Sequence, residues 1–234
     1  KDLLVERNMI SKLHATASIP RGAIIAKDES FSAMINEEDH LRIQAYQAGL
    51  DIDHCWQRIN KIDDIIETKL SYSFDAKYGY LTACPTNVGT GIRVSVMLHL
   101  PALKMTNQLE KFLDAARDTN LAVRGLFGEG TEAVGDFYQL SNQTTLGVSE
   151  QHIVDEFTTS IIPRIAEYER IARIELLEKR TSFLDDKIQR ALGILRTARL
   201  ISSQEALFLL SNVRLGINLG RIEGISVATI NSLF

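Results

Sequence analysis

The stretch with the clearest capacity for chemistry is residues 84–93, a turn of small and bend-forming residues that leads into an alternating strand. Along residues 93–100 one parity is apolar, and the other carries Arg93, Ser95, Met97 and His99. Because the apolar face must be buried, the opposite face presents a guanidinium beside a loop with many backbone N–H groups. This combination suits an anionic ligand that carries phosphate.

The glycine spacing of this turn excludes the two common phosphate-binding loops. The chain contains no G-x-x-x-x-G-K-[ST] motif, and the Gly-Thr-Gly at residues 89–91 lacks the third glycine of a dinucleotide fingerprint. On spacing alone, a glycine-rich turn before a strand is also an ordinary turn. Phosphate binding and a plain turn both remain open at this point.

A second chemically notable stretch is the run of four ionisable residues at positions 37–40, Glu-Glu-Asp-His. It lies within residues 31–46, a segment that alternates as an extended strand. If the segment were extended throughout, Glu38 and Arg42 would lie on the same side, whereas a bend at residues 37–39 would spoil that geometry. The run is either a solvated turn or a carboxylate held close to a cationic substrate.

The elements around these stretches follow strand and helix periodicities in turn. We expect a strand, a turn at residues 76–79 and a second strand within residues 71–82, and further strands at residues 93–100 and 137–141. Residues 121–130 should form a strand that carries an arginine into a glycine-rich loop, and amphipathic helices should lie at residues 51–70 and 106–120. A long helix should run from Ser149 to about Lys179, and Pro163 should kink it or split it. From about residue 166 onward the chain looks all-helical, which indicates a helix pair or a dimerising bundle.

The length, charge and cysteine content of the chain limit the functions that it can have. A chain of 234 residues is long enough for one large domain or for one domain with a helical extension. The net charge of −4 argues against a general binder of nucleic acids or anionic membranes. Two cysteines, Cys55 and Cys84, give neither a disulfide framework nor a zinc spacing. Since the sequence shows no signal peptide and no apolar run of membrane-spanning length, we expect a cytoplasmic location.

Three separated pieces of the chain, residues 36–42, 84–93 and 123–125, resemble in that order the ATP:guanidino phosphotransferase family, which includes creatine kinase and arginine kinase. The Cys-Pro-x-Asn-x-Gly-Thr-Gly block is highly specific, and the resemblance spans most of the first 160 residues. A finer resemblance, to the bacterial branch of protein-arginine kinases, rests on four further pieces. They are residues 96–101, 127–130, 140–143 and 213–220.

The resemblance implies a fold of the α+β class, an antiparallel sheet flanked by helices as in the glutamine-synthetase-like catalytic domain of guanidino kinases. That domain would occupy residues 1–165. A helical extension over residues 166–234 would begin a region for dimerisation and phosphoarginine binding. The family's small helical N-terminal domain has no counterpart in this chain.

The resemblance also implies an activity and its partners. Members of the bacterial branch transfer the γ-phosphoryl group of ATP to arginine side chains of proteins, which in many bacteria marks damaged proteins for a Clp protease in a stress response. The expected partners are protein substrates with exposed arginine, an activator protein, the Clp machinery and a second copy bound through the helical tail. We expect neither nucleic acid nor membrane as a partner.

Three residues take catalytic roles by this resemblance. Glu38 matches the carboxylate that grips the substrate guanidinium and takes its proton. Glu129 matches a second carboxylate that clamps the other side. Cys84 matches the active-site cysteine near the guanidinium, as a thiolate that tunes the charge of the guanidinium rather than as a nucleophile, and a small loop residue without that role is the alternative.

The cofactor implied is ATP or ADP with Mg²⁺, and no residue is assigned as a metal ligand. Arg42, Arg93 and Arg124 match arginines that bind the nucleotide phosphates. Two backbone segments match ATP contacts. They comprise Arg93, Val94, Ser95, Val96 and Met97, and then Arg124, Gly125, Leu126, Phe127, Gly128 and Glu129.

The sequence departs from the family pattern at three places. It has no Ser-Ser-Arg-x-Arg segment, it carries Asn8 where the bacterial branch has histidine, and it has no Arg-Asp-x-x-Arg-Ala segment. The chain starts at Lys1 without an initiator Met and stops at Phe234 just after a helix-start signal, so we expect a fragment. The alternatives to a protein-arginine kinase are a free-arginine phosphagen kinase and a truncated or inactive nucleotide-binding module.

Overall fold

The computed structural model describes residues 1–125 and 134–234, which fall into two compact units. The first unit comprises residues 1–94 and 144–158, and the second comprises the described residues of 95–143 together with 159–234. The chain therefore leaves the first unit once and returns to it for a short segment.

The secondary structure mixes short strands with helices, and all the strand pairs in the described ranges are antiparallel. The strands are β1 (Gly22–Ile25), β2 (Phe31–Glu37), β3 (His40–Ala45), β4 (Phe74–Asp75), β5 (Gly79–Tyr80), β6 (Ser95–His99), β7 (Leu121–Gly125) and β8 (Phe137–Asn142). The α-helices are α1 (Asp2–Glu6), α2 (Lys12–Thr16), α3 (Ile52–Glu67), α4 (Pro101–Met105), α5 (Leu109–Asp118), α6 (Glu150–Glu156), α7 (Ile162–Lys179), α8 (Thr181–Thr197), α9 (Ser203–Asn218) and α10 (Val227–Asn231).

The first unit is built on a three-stranded sheet in the order β1-β2-β3. Its central strand β2 buries Met34 completely, and the register between β2 and β3 shifts between Ile35 and Glu37. The chain then turns at residues 38–39, so that residues 31–46 form a hairpin rather than one extended segment. This turn puts the acidic run at the tip of the hairpin.

Helix α3 confirms the helix expected at residues 51–70. The carboxylate of Asp51 caps its first turn by accepting a hydrogen bond of 3.2 Å from the backbone N–H of His54. Trp56 is half-buried and donates through Nε1 to the side-chain oxygen of Gln151 on α6 at 3.1 Å. The indole therefore helps to hold α3 against α6 within the first unit.

The second unit contains a three-stranded sheet in the order β6-β8-β7. On one face of its central strand β8, Tyr138 and Leu140 are buried, which fixes the register of the sheet. The helices that follow pack through fully buried leucines on α7, α8 and α9. Close packing of α9 on α8 explains Gly216, because a Cβ at this position would lie 2.6 Å from Cγ2 of Ile188.

The observed fold confirms the α+β class with antiparallel pairing and a helical C-terminal part. The described strands form three small sheets, one of them the two-stranded β4–β5 ribbon expected within residues 71–82. The long helix is divided as predicted, with a π-helical turn at Phe157–Ile161 between α6 and α7. Pro163 lies in the first turn of α7, directly after this π-helical turn, so its missing N–H falls where the regular α-helical hydrogen bonding is interrupted.

One expectation about residues 93–100 is wrong, because the strand begins at Ser95 rather than at Arg93. The strand ends at His99, and Pro101 then opens helix α4. In the described part of the chain, every helix is too short or too polar to cross a membrane.

Candidate active site

Three consecutive carboxylates, Glu37, Glu38 and Asp39, lie at the tip of the β2–β3 hairpin, and they have three different environments. Glu37 is buried, Asp39 is half-buried and Glu38 is exposed. Within residues 1–125 and 134–234 the Glu38 carboxylate has no hydrogen-bond partner, whereas both of its neighbours are fully engaged. Glu38 is therefore the member of the run that is available to a substrate.

Glu37 acts as an internal support for this tip. Its Oε1 accepts a hydrogen bond of 2.9 Å from the Ser11 hydroxyl, and its Oε2 accepts one of 2.7 Å from the backbone N–H of Glu38. The guanidinium of Arg42 lies 3.9 Å from the same carboxylate, which is 6% exposed. A buried charge is tolerable when donors and a cation compensate it, and Glu37 has both.

Asp39 ties the hairpin tip to the loop at residues 84–93. Its Oδ1 accepts from the backbone N–H of Cys84 at 3.2 Å, and its Oδ2 accepts from the side-chain amide of Asn87 at 2.6 Å. Asn87 ends a short 3-10 helix, Pro85–Asn87. These contacts bring two sequence-predicted segments together: the one with Glu38 and the one with Cys84.

The half-buried thiol of Cys84 faces a hydroxyl group on its own loop. Its Sγ lies 3.0 Å from Oγ1 of Thr86, and its carbonyl oxygen accepts a hydrogen bond of 2.7 Å from the Thr82 hydroxyl. Either atom of this pair can be the donor, so the contact holds the sulfur in place on the loop.

Backbone hydrogen bonds at Gly89 and the residue after it hold this loop in place. Its backbone exchanges two hydrogen bonds with Tyr80, of 2.8 and 3.2 Å, and Thr90 donates its N–H to the carbonyl oxygen of Thr145 at 2.9 Å. Gly89 has a φ of 113°, and a Cβ there would lie 2.2 Å from that oxygen. Both the left-handed backbone and the close approach require glycine.

Thr145 is a supporting residue that sequence reasoning missed. Its side chain is buried, and its hydroxyl lies 3.1 Å from the carbonyl oxygen of Thr86 and 2.8 Å from that of Val88. It lies more than fifty residues from the loop, so no local spacing signals the contact. Asn87 lies within the Cys-Pro-x-Asn-x-Gly-Thr-Gly block, but no pattern in the sequence indicates that it pairs with Asp39.

The arginines expected at the nucleotide phosphates fall in both units. In the first unit, Arg42 is about half exposed, and its Nη2 donates to Oε1 of Gln44 at 3.1 Å. Arg93 is exposed and precedes β6 rather than lying on it. In the second unit, Arg124 is half-buried on β7.

The sheet of the second unit aligns two of the predicted ATP-contacting segments. Met97 on β6 and Arg124 on β7 both pair with Gln139 of the intervening strand β8, so the three side chains form one row on one face. Ser95 is exposed on the same face, and Val96 is half-buried on the other. Val94, the residue at which the chain leaves the first unit, is buried.

The second catalytic carboxylate expected from the sequence, Glu129, lies outside the described residues. The same holds for Leu126, Phe127 and Gly128, while Gly125 is the last residue of β7.

His99 does not lie on an open polar face as the alternation predicted. It is buried, and its Nε2 lies 2.9 Å from the Ser211 hydroxyl, which donates to Oδ2 of Asp136 at 2.6 Å. Because the hydroxyl proton goes to Asp136, His99 donates from Nε2. Burial, helped by the positive charges of Arg214 and Arg173, lowers the pKa of His99 to about 2. The imidazole of His99 is therefore neutral, and its role is structural, as a hydrogen-bond donor to Ser211.

Metal ions and phosphate groups require different protein groups. No group of three His, Cys, Asp or Glu side chains within residues 1–125 and 134–234 has the arrangement that holds a metal ion. Guanidinium groups and backbone N–H groups, which the predicted ATP segments do supply, are donors suited to phosphate oxygens.

Comparison with known proteins gives two family matches that divide the chain. Residues 1–172 match the family described as ATP:guanido phosphotransferase, C-terminal catalytic domain. Residues 181–234 match the family described as protein-arginine kinase McsB C-terminal domain.

Curated relatives match across nearly all of the chain. A protein-arginine kinase of Clostridium acetobutylicum is 47% identical over 98% of this chain and 67% of the relative. One of Shouchella clausii is 49% identical over 95% of this chain and 62% of the relative. One of Brevibacillus brevis is 50% identical over 100% of this chain and 65% of the relative. The chain thus spans about two thirds of the length of these relatives.

Solved structures of two further kinases share the fold. The duplicated taurocyamine kinase from Schistosoma mansoni, with bound transition state analog components, matches with a TM-score of 0.66 at 29% identity, over 72% of this chain and 25% of that chain. Lombricine kinase matches with a TM-score of 0.61 at 28% identity, over 72% of this chain and 50% of that chain.

Proposed function

Because the chain belongs to the ATP:guanido phosphotransferase family, we propose that it is the catalytic part of a protein-arginine kinase. The enzyme would transfer the γ-phosphoryl group of ATP to the guanidino group of arginine side chains in proteins. The observation that carries the proposal is the difference between the three carboxylates at the hairpin tip. Of three adjacent carboxylates, two support the backbone and only Glu38 is exposed without a partner in the described ranges.

In the proposed reaction, Glu38 orients the substrate and accepts its proton. A guanidinium is planar and stays protonated near neutral pH, so its nitrogen becomes a nucleophile only when a proton leaves, late or in concert with attack. The nitrogen forms the N–P bond while the bond from Pγ to the bridging oxygen of ADP breaks, and the proton passes to Glu38. Glu129 is assigned as the second carboxylate of the clamp.

The other assigned residues stabilise charge rather than form covalent bonds. Arg42, Arg93 and Arg124 are assigned to the phosphate oxygens, on which negative charge grows as ADP leaves. Mg²⁺, when bound with the nucleotide, would supply further positive charge at the same oxygens. Cys84 as a thiolate would tune the charge of the substrate guanidinium. Alignment of the reactants should account for most of the rate enhancement.

The wider biological assignments follow from the same resemblance. We propose residues 1–165 as the catalytic domain and residues 166–234 as a helical extension that forms a homodimer. We further propose a cytoplasmic enzyme whose product marks proteins for a Clp protease, under the control of an activator protein. The names of the curated relatives support the protein substrate.

The alternative substrate is free arginine, which the names of the solved neighbours favour because they are kinases of taurocyamine and lombricine. Initial rates with Mg-ATP should be compared for free arginine and for a folded protein with exposed arginines, with ³¹P NMR as the readout of N–P bond formation. We expect the signal on the protein. A signal on free arginine alone would overturn the protein substrate.

The same sample separates catalysis from simple nucleotide binding. Calorimetric titration with Mg-ADP should show binding by a competent enzyme. Binding of Mg-ADP without N–P bond formation on either substrate would support a nucleotide-binding module and overturn the kinase proposal.

A further inference from the structure

Asp39 connects the catalytic turn to the cysteine loop through two hydrogen bonds that use both of its carboxylate oxygens. The partners are the Cys84 backbone N–H at 3.2 Å and the Asn87 side-chain amide at 2.6 Å. They lie 45 and 48 residues along the chain from Asp39, so local folding alone does not bring them together. An ionised carboxylate only accepts hydrogen bonds, and here each oxygen already has a donor.

We propose that Asp39 and Asn87 form a clamp that sets the position of the Glu38 carboxylate relative to the Cys84 thiol. Both would be positioning residues for the substrate guanidinium, an inference that rests on the proposed kinase function for its catalytic part. Asp39 adjoins Glu38 in the turn, and its two contacts reach the loop that carries the thiol. A shift of Asp39 would therefore displace both groups that meet the substrate.

The backbone of the turn supports this inference. Asn36 and His40, which flank the three carboxylates, have φ values of 60° and 67°. Residues other than glycine are uncommon in this left-handed region, although asparagine and histidine enter it more readily than most. Glu37 supplies one contact, through the Glu38 backbone N–H, and Asp39 supplies the others. The Glu38 backbone is therefore fixed on both sides, and only its side chain is free to meet a substrate.

The clamp has a donor and an acceptor, and exchanging them gives a direct test. Asn87→Asp would place two carboxylates at a separation of 2.6 Å in the present geometry, where like charges repel. In the double variant Asp39→Asn with Asn87→Asp, the new amide donates to the new carboxylate, and its oxygen still accepts from Cys84. The exchange restores the pairing and keeps the net charge of the wild type.

The single variant Asp39→Asn should be milder, because Asn87 can turn its amide over and accept the hydrogen bond. In the described ranges the Asn87 side chain has no other hydrogen bond to lose. We therefore expect Asn87→Asp to disturb the clamp most, Asp39→Asn to disturb it less and the exchanged double variant to disturb it least.

Two readouts are measured in a Cys55→Ser background, where Cys84 is the one remaining thiol. The first is the rate of Cys84 alkylation by iodoacetamide across pH, which reports on the thiol whether or not the chain phosphorylates arginine. The second is kcat and KM for phosphorylation of an arginine-containing protein. We expect Asn87→Asp to lower kcat about 100-fold, the scale of a catalytic group displaced by about 1 Å, with a small change in the KM for ATP.

A matched control is Asn60→Asp on α3, where Asn60 donates to Asp64 at 3.4 Å on an exposed helix face. It makes the same chemical change away from the loop and should leave both readouts at the wild-type values. In the exchanged double variant, kcat and the alkylation profile should return to within a few-fold of the wild type. Thermal denaturation shows whether each variant is folded.

The clamp is overturned if Asn87→Asp leaves the alkylation profile unchanged, or if the folded double variant recovers neither readout. If Asn87→Asp does not fold, Asn87→Ala decides, because it removes the donor of this hydrogen bond without adding a charge, and wild-type alkylation and kcat in that variant would also overturn the clamp. A chain that forms no phosphoarginine, but whose alkylation profile is disturbed and then restored as described, would retain the clamp and lose the kinase function.

Discussion

The buried carboxylate of Glu37 accepts a hydrogen bond of 2.7 Å from the backbone N–H of Glu38. The first of two adjacent, chemically equivalent side chains therefore fixes the backbone of the second. Burial distinguishes the two side chains, because Glu37 is buried and supports the turn, whereas Glu38 is exposed, as the proposed contact with a substrate requires.

Removal of the Glu37 carboxylate should destabilise the first unit. Glu37→Ala leaves the Ser11 hydroxyl and the Glu38 backbone N–H without their acceptor, and unsatisfied buried donors cost about 1–3 kcal/mol. Urea unfolding should show this loss in the free energy of unfolding. Glu6→Ala, at an exposed position on α1, is the control and should change stability little. Equal stability of both variants would show that Glu37 does not support the turn.

The loop at residues 84–93 should depend on glycine at position 89. Gly89→Ala places a methyl group 2.2 Å from the carbonyl oxygen of Thr145, in a residue with a φ of 113°. Gly147→Ala is the matched control, because Gly147 also has a positive φ, of 80°, but a Cβ there meets nothing within 4 Å.

In the control, Gly147→Ala, the free energy of unfolding should decrease only by the cost of a left-handed backbone at alanine, about 1–2 kcal/mol. Gly89→Ala should lose more stability and should also bind Mg-ADP more weakly, since the loop must move. Urea unfolding and calorimetric titration measure the two effects. If the two variants are equally stable and bind ADP equally, the close approach at Gly89 does not constrain the loop.

The buried His99 should make stability depend on pH below neutrality. Its pKa in the folded protein is lowered to about 2, from an ordinary value of 6.5, so the unfolded state binds the proton first as the pH falls. The free energy of unfolding should therefore decrease as the pH falls below about 6.5, by about 1.4 kcal/mol per pH unit.

The measurement is urea unfolding at pH 7.5 and pH 5.0 for the wild type and for His99→Gln. The variant removes the titrating group, so its stability should fall less over this interval, by about 2 kcal/mol less than the wild type. The absolute stability of the variant does not matter, because the readout is the slope. Equal slopes would contradict a neutral, buried His99.

Patterns in the sequence predicted the local elements and failed where distant parts of the chain decide the environment. The helix at α3 and the break before Pro163 follow from periodicity and from the missing N–H of proline. His99 shares the parity of the exposed Ser95 and Met97, yet it is buried. Alternation fixes the face of a residue, but packing from other elements fixes its burial.

The candidate site was predictable to a similar extent. The resemblance assigned roles to Glu38 and Cys84, and the structure joins the segments that carry them through Asp39. It assigned no role to Asp39 or to Thr145, because their contacts connect residues far apart in sequence and involve ordinary hydrogen-bonding groups. Such partners become visible only when the chain is folded.

The most direct test of the account is the amount of phosphoarginine formed on a protein substrate by the wild type and by Glu38→Gln, with Mg-ADP affinity measured on the same samples. The account predicts that Glu38→Gln lowers the rate by about 10²–10⁴-fold, the usual contribution of a general base, while the ADP affinity stays at the wild-type value. A Glu38→Gln enzyme that phosphorylates arginine at the wild-type rate would contradict it.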